Sequence, residues 1–355
     1  MSTEVDTDQP AGDEATPSER EPRGFIGRTL DTTLSWVLGS KHASYSWAMF
    51  RITYGVIVLI VLAGSWADRQ YLWGVGSRFI DPVADNRGYP WFFEAIFIKS
   101  NVVVFDVAYY LLAALAVLFV IGWRTRWVAP FLLLFWIGLE VNSTLLTNGG
   151  DTIMRVTLLF ALFADMTQHW SLDSWLRRRR PRRAAVASSW APAWAGNLLH
   201  NTALVLCLWQ ILLVYATSAL LKFQGLEWKN GTATYYSLVL DVFRPYPWLS
   251  QLVTAWDVPV HLLTYATMGL QLLFPVFLVW RPTRIVALIG VTGVHLGIGL
   301  FLGLWPFSLA MIAVDFLFVR DETWRWFIGL VRPYLARLRS RLPVGSRPAA
   351  VGAPD

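Results

Sequence analysis

A lysine at the end of a long apolar run is the first residue whose position asks for a chemical explanation. Lys222 closes the run, and Tyr215 and Ser218 precede it at helical spacing, so a phenol and a hydroxyl share the helix face of the amine. A lysine at the centre of a bilayer costs about 2.5–3.5 kcal/mol on insertion scales, so an ionisable residue there indicates a functional site. In this interpretation Tyr215 and Ser218 hold the amine in a polar pocket, and Lys222 would have to be neutral part of the time to take part in chemistry. The alternative is that the long side chain only reaches out to the headgroups.

Further polar residues interrupt the apolar runs and extend this candidate site. Asp151 and Arg155 are four residues apart and so share a helix face. They either serve chemistry or neutralise each other. Asn148 ahead of Asp151 also fits a helix N-cap, which alone would explain the aspartate. His295 lies within an apolar run, as a packing residue or as another catalytic group. Arg51, about one turn from the inner end of the first run, is expected to reach inner phosphates.

The residue spacings argue against several other kinds of site. His, Cys and acidic residues show no metal-ligand spacing and no Gly-rich phosphate loop occurs, so no metal site is predicted. The single cysteine, Cys207, excludes an intramolecular disulfide. The net charge of +6 comes from short basic segments beside apolar runs, which indicates topology signals and no nucleic acid. The densest segment, residues 177–183, should also attract anionic membrane lipid.

The elements that must position these groups are strongly apolar. Hydrophobic residues make up 55% of the 355-residue chain and the mean hydropathy is +0.45, so we predict an all-α, polytopic integral membrane protein. With about 20 residues per crossing, the runs predict eight transmembrane helices. They cover residues 46–65, 101–121, 127–146, 152–170, 198–221, 259–280, 285–302 and 304–320. The last two are also compatible with a helical hairpin broken at residues 303–306.

The predicted domain organisation is one membrane domain between two polar ends. Residues 1–40 are expected to form a disordered N-terminus, residues 41–320 the membrane domain, and residues 321–355 a basic tail that starts as an amphipathic surface segment. Of the 30 Lys and Arg residues, 21 fall on the side that holds both ends and 6 on the other. This asymmetry predicts a multi-pass cell-membrane protein with both termini in the cytoplasm. Two long outer loops, residues 66–100 and 223–258, are expected to lie along the outer interface as short helices.

Several short motifs, in this order, resemble the horizontally transferred transmembrane (HTTM) domain family. The motifs are Met-Phe-Arg-Ile-Thr-Tyr-Gly at 49–55, Asn-Gly-Gly-Asp at 148–151 with Arg155, Trp-Ser-Leu-Asp at 170–173, the stretch from Lys222 to Gly231, His-Leu-Gly-Ile at 295–298, and Gly-Leu-Trp-Pro-Phe at 303–307. The family includes the vitamin K-dependent gamma-carboxylases and the toxin-maturation membrane protein of a sporulation-delaying system. The resemblance covers roughly residues 40–320.

The resemblance carries an expectation about chemistry. In the carboxylases the lysine that matches Lys222 is regarded as the base that deprotonates vitamin K hydroquinone. It therefore implies a carboxylase-like lyase activity with menaquinol or another vitamin K-type quinol as cofactor. It also implies that Lys222 is the base, that Arg155 and His295 are charge stabilisers or hydrogen-bond donors, and that Tyr215, Trp228 and Asp151 lie at the cofactor. Trp228 and Gly231 match the family's Trp-x-x-Gly, although the gap after the lysine is one residue longer. The resemblance ends near residue 320 and does not include the large C-terminal region of the carboxylase, so propeptide docking is not expected from it.

A second expectation is that the protein has no enzymatic activity. It would then be a membrane accessory that helps to mature or export a small secreted peptide or toxin. Both expectations place the polar cluster at the outer leaflet. They differ in whether a quinol is needed.

Overall fold

A computed structural model describes residues 25–77, 90–179 and 192–341, and within these ranges it contains helices and no strand. The helices are α1 (Phe25–Gly39), α2 (Ser44–Gly64), α3 (Arg69–Leu72), α4 (Trp91–Ile96), α5 (Val102–Ile121), α6 (Thr125–Val141), α7 (Gly149–Ala161), α8 (Leu172–Arg179), α9 (Ala193–Lys222), α10 (Leu226–Lys229), α11 (Ala233–Val239), α12 (Pro247–Thr254), α13 (Asp257–Phe277), α14 (Arg281–Leu302), α15 (Trp305–Asp315) and α16 (Asp321–Arg341). The prediction of an all-α fold is confirmed.

Five of the described helices, α2, α5, α9, α13 and α14, are long and apolar enough to cross a membrane. The shorter α6, α7 and α15 have 17, 13 and 11 residues and pack among them. Each of the eight predicted runs is thus helical over most of its length, and the prediction of a polytopic membrane protein is confirmed. The count of eight crossings stays a prediction.

The fourth predicted run is shorter than expected. We predicted a helix over residues 152–170, but α7 ends at Ala161. Asp165 lies in the turn that follows. Its Oδ1 accepts hydrogen bonds from the backbone N and the hydroxyl of Thr167, at 3.2 and 2.9 Å, and these bonds hold the turn. Such a side-chain bond offers the backbone an alternative to the helix.

Both described ends of the chain meet at one end of the bundle, which we call the basic end. There the carboxylate of Asp321 in α16 accepts hydrogen bonds from the backbone N of Ser44 and Tyr45, each at 3.0 Å, and so caps α2. Asp173 caps α6 in the same way, through the backbone N of Arg124 and Thr125 at 2.9 and 3.2 Å. A carboxylate suits the positive end of a helix dipole. The side of the membrane on which this end lies stays a prediction.

The N-terminal prediction is wrong for residues 25–39, which form α1 and are not disordered. The helix is held by the buried Asn201 of α9, whose amide donates to the backbone carbonyls of Val37 and Ser40 at 2.8 and 2.7 Å and accepts from the backbone N of His42 at 3.1 Å. The polar composition hid an amphipathic helix whose partner lies far along the chain. The rest of the predicted disordered segment, residues 1–24, lies outside the described residues.

The two long loops contain short helices, as predicted, where they are described, and their position along the outer interface stays a prediction. Short helices α3 and α4 occupy the first long loop and α10, α11 and α12 the second, while α16 forms the expected surface helix at the start of the basic tail. Residues 78–89, 180–191 and 342–355 lie outside the described ranges. We call the end of the bundle opposite the basic end, where Lys222 and Asn148 lie, the polar-loop end.

We expected Arg51 to reach the headgroups, and this prediction is wrong. Its side chain is fully buried, and the guanidinium donates to backbone carbonyls that come from two other parts of the chain. These are the carbonyls of Phe119 at 2.6 Å, Trp170 at 2.6 Å, Met166 at 3.2 Å and Val120. The prediction failed because the partners lie at the end of α5 and in the turn after α7. Arg51 therefore fastens α2 to both.

Candidate functional site

Lys222 is the last residue of α9, an uninterrupted helix of 30 residues. Its Nζ donates to Oγ of Ser218 at 2.6 Å and to Oε1 of Gln271, on α13, at 2.7 Å. It also lies 5.1 Å from the ring centroid of Trp228, within the range of a cation–π contact. The structure thus places Trp228 against the lysine and adds Gln271, which the sequence analysis did not single out.

The partners of the Lys222 amine in the described structure are neutral. Its neighbour in the chain, Glu227, accepts a hydrogen bond from the hydroxyl of Thr232 at 2.9 Å instead. No described carboxylate forms an ion pair with Lys222. Losing a proton would therefore break no ion pair at this amine, which suits a group that must exist in both protonation states.

Tyr215 and His295 belong to a second group, deeper in the bundle. The Tyr215 hydroxyl lies 2.7 Å from Oδ2 of Asp315 and 3.1 Å from Nε2 of His295, and all three side chains are buried. The hydroxyl has one proton, so when it donates to an ionised Asp315 it accepts from Nε2–H of His295. Tyr215 precedes Lys222 by seven residues, or about 10 Å along a helix axis. The two groups therefore form successive layers on one face of α9.

The buried layer has unused hydrogen-bonding capacity. Nδ1 of His295, Oδ1 of Asp315 and Oγ of Ser308 are buried and have no hydrogen-bond partner among the described residues. The Phe307 ring packs edge-on against His295 with 5.9 Å between centroids. The sequence analysis did not single out Asp315. An acid in that position is itself a signal that a buried partner exists.

Arg155 and Asp151 belong to a third group. Nε of Arg155 lies 3.1 Å from Oε2 of Glu140, whose side chain is only 6% exposed. Asp151 accepts a hydrogen bond from the backbone N of Asn148 at 2.8 Å, and the Asn148 side chain accepts one from Gly150 at 2.7 Å, which makes a capping box at the start of α7. Of the interpretations left open for Asp151, the structure shows the capping one, with Asn148 as the N-cap and Asp151 as its partner in the capping box. The sequence analysis did not identify Glu140 as the partner of Arg155.

A cavity of about 500 Å³ opens beside this third group at the polar-loop end. Glu140 and Asp151 line it together with the indoles of Trp73, Trp136 and Trp305. Its volume falls in the usual range for small-molecule sites, about 300–1,000 Å³. Lys222 is not among its lining residues. The predicted site residues therefore divide between the Lys222 pocket, the Tyr215 layer and this indole-lined cavity.

The fold and these groups define a class of protein, an all-helical polytopic membrane protein with ionisable residues inside its helix bundle. The HTTM domain family matches residues 41–324, and the chain belongs to this family. The family resemblance inferred from the motifs is thereby confirmed.

The chain is also similar to the sporulation-delaying protein SdpB of Bacillus subtilis (strain 168). The two are 24% identical over 203 residues, which cover 56% of each chain. The chain thus spans little more than half the length of this curated relative. No solved structure matches it.

Proposed function

We propose that the protein is a membrane enzyme in which Lys222 acts as a base on a hydroxyl of a lipid-soluble, quinol-type cofactor. The observation that carries the proposal is the setting of the amine. Nζ is held at 2.6 and 2.7 Å by the neutral groups of Ser218 and Gln271, at the end of an apolar helix. A base needs a fixed position, and an amine without an ion-pair partner loses no salt bridge when it gives up its proton.

The surroundings of Lys222 fit an apolar ring that arrives from the bilayer. Leu220 and Leu221, next to it on α9, are 56% and 65% exposed, so the helix surface beside the amine is open to lipid. The face of Trp228 lies over the amine and offers a stacking surface. A bound quinol would supply an acidic hydroxyl. Menaquinol and other vitamin K-type quinols have this chemistry.

The protein residues then have distinct parts in the proposed reaction. Lys222 would take the hydroxyl proton, while Ser218 and Gln271 keep Nζ in place. Tyr215 and His295 lie about two helical turns deeper, so in this proposal they position the end of α9 and do not touch the cofactor. Arg155 is paired with Glu140 at 3.1 Å beside the indole-lined cavity, so in this proposal it does not touch a cofactor at Lys222.

The test compares purified wild type, Lys222→Ala and Lys229→Ala in nanodiscs with reduced menaquinone. Lys229 is a matched control, because it is an exposed lysine at the same end of the bundle. With dissolved oxygen as the oxidant, we expect saturable binding and oxidation of menaquinol by wild type and by Lys229→Ala, with turnover lost in Lys222→Ala. Mass spectrometry of the quinone products follows the reaction. A folded wild-type sample that neither binds nor converts menaquinol would disprove the proposed function.

A second candidate function rests on the indole-lined cavity. Carboxylates of Glu140 and Asp151 beside three indoles form a setting that suits a cationic side chain. In this alternative the protein is an accessory that binds a small secreted peptide during its maturation or export. Such an accessory would not bind menaquinol. Glu140→Gln would weaken its binding of a Lys-rich peptide, and Lys222→Ala would not.

We also propose that the basic end faces the cytoplasm, because 21 of the 30 Lys and Arg residues fall in the segments assigned to that side. Cys207 is the single cysteine and is buried, so the chain suits single-cysteine labelling. In intact cells an impermeant maleimide should label Lys229→Cys and should not label Arg325→Cys. The reverse pattern would invert the topology.

A further inference from the structure

A second pocket, of about 490 Å³, lies at the basic end between α6, the turn after α7 and the start of α9. We call it the basic pocket. Three cationic residues and several apolar ones line it, chiefly Lys41, Arg126, Arg177, Leu162, Phe163 and Leu199. Phe163 and Leu199 are 57% and 51% exposed. The pocket thus joins a charged interior to an apolar rim on the lateral surface of the bundle.

The acidic residues of the basic pocket are already engaged within the protein. Asp165 accepts a hydrogen bond from Nζ of Lys41 at 2.8 Å as well as the two from Thr167. Asp173 accepts hydrogen bonds from two backbone N–H groups at the start of α6, those of Arg124 and Thr125. Neither carboxylate is therefore left to neutralise further cations, although both reduce the field in the pocket.

The cationic residues, in contrast, keep donors to spare. Arg126 is exposed and has no hydrogen-bond or ion-pair partner within the described ranges. Arg177 uses Nη1 and Nη2 to hold the hydroxyl and carbonyl of Thr167, at 3.0 and 2.6 Å, and Lys41 uses one bond to Asp165. Arginine has five N–H donors and lysine three, so each has capacity for an anion.

A buried hydroxyl gives an independent indication of a ligand. Thr125 lines the basic pocket and is only 2% exposed, and its Oγ1 has no hydrogen-bond partner among the described residues. A buried polar atom without a partner is costly. An oxygen-rich anion in the pocket would satisfy the hydroxyl and the spare N–H donors together.

We propose that the basic pocket binds the phosphate of an anionic phospholipid, with the acyl chains lying over Phe163 and Leu199. Phosphate oxygens are strong acceptors for guanidinium donors. Basic pockets between helices at a membrane surface suit lipid headgroups. The exposed apolar rim favours a lipid over free phosphate, because a free ion would make no use of it. This site is independent of the Lys222 pocket.

The test measures binding of short-chain phosphatidylglycerol, short-chain phosphatidylcholine and inorganic phosphate to the purified full-length protein in detergent. Arg126→Gln removes one cation that makes no described contact in the protein, so the fold should remain intact. Arg281→Gln is the matched control, because it removes an exposed arginine outside the pocket at the same end of the bundle. Native mass spectrometry counts the bound lipids, and thermal unfolding verifies that each variant is folded.

Phosphatidylglycerol should bind to wild type and to Arg281→Gln equally, and about fivefold more weakly to Arg126→Gln, since a basic residue near a membrane surface contributes about 1 kcal/mol. Phosphatidylcholine should bind much more weakly than phosphatidylglycerol. Equal loss in the two variants would mean that only net charge matters and would overturn the site. Inorganic phosphate that binds as tightly as phosphatidylglycerol would overturn the assignment to lipid.

Discussion

Replacing Arg51 with methionine tests how the bundle is held together at its basic end. The guanidinium donates to four backbone carbonyls. Two of them, from Phe119 and Val120, belong to the last turn of α5, where the only other described backbone donor to either carbonyl is the N–H of Gly122, 3.1 Å from the Phe119 oxygen. Methionine fills similar space but donates nothing. The variant therefore leaves those carbonyls and two in the turn after α7 without the cation.

The magnitude follows from the cost of losing a buried charged partner. Each hydrogen bond to a charged group contributes about 1.5–3 kcal/mol, but removing the arginine also removes its own desolvation cost. Breaking a buried charged network typically costs about 3–5 kcal/mol, and we expect Arg51→Met to fall in that range. The apparent midpoint of thermal unfolding should then fall by on the order of 10 °C.

The assay is thermal unfolding of purified variants in one detergent, with Arg51→Lys and Arg284→Met as controls. Lysine keeps the charge but donates from one atom, so it cannot fan out over four carbonyls and should be intermediate. Arg284 is half-buried and donates to the carbonyl of Leu278, so its loss should cost little. A wild-type midpoint for Arg51→Met and Arg51→Lys would mean that the side chain reaches the headgroups, and would refute the buried network.

Three further predictions concern other parts of the fold, and each is measured by unfolding of purified protein. Gly122 has a φ of +73°, and a Cβ added there would lie 2.5 Å from a side-chain carbon of the turn after α7. Gly122→Ala should therefore lower the free energy of unfolding by about 1–3 kcal/mol. Gly269→Ala is the control and should cost nothing, because no atom lies within 4 Å of its added Cβ. Tyr215→Phe removes the hydroxyl shared by two buried groups and should cost about 1–3 kcal/mol; a neutral effect would mean that the layer is hydrated. Burial raises the pKa of Asp165, but the charge of Lys41 and hydrogen bonds outweigh it and hold that pKa below its usual value. The ionised carboxylate thus stabilises the fold above about pH 4. The difference in free energy of unfolding between wild type and Asp165→Asn should therefore narrow as the pH falls from about 5 to about 3. A difference that stays constant with pH would contradict this.

Much of the fold was predictable because its signals are local. The apolar runs gave all eight main helices, and helical spacing placed Ser218 on the face of Lys222, where the structure has the two side chains 2.6 Å apart. The helix α1 was missed because its apolar residues are interspersed with polar ones and follow a strongly polar segment, so the whole stretch resembled a disordered one. Its stability depends on Asn201, 161 residues beyond the Ser40 carbonyl that it holds.

The candidate site was predictable as a list of residues but not as an arrangement. Six residues were proposed together from their polarity and family motifs. The structure distributes them over a pocket, a buried layer and a cavity, because their partners come from other helices. Tyr215 meets Asp315 across 100 positions of sequence and His295 across 80. No spacing rule covers such distances.

The sequence by itself determined that this is a helical membrane protein of the HTTM domain family with ionisable residues in its bundle. The transfer free energies of apolar residues add up along a helix, so a membrane-spanning segment can be recognised from the sequence without knowing any tertiary contact. The tertiary structure alone decided how each polar residue is satisfied. Arg51 was expected at the headgroups and is buried, and Arg155 pairs with Glu140 on another helix. The physical reason is that a buried polar group is stable only with a partner, and in a bundle of helices that partner comes from a distant part of the chain.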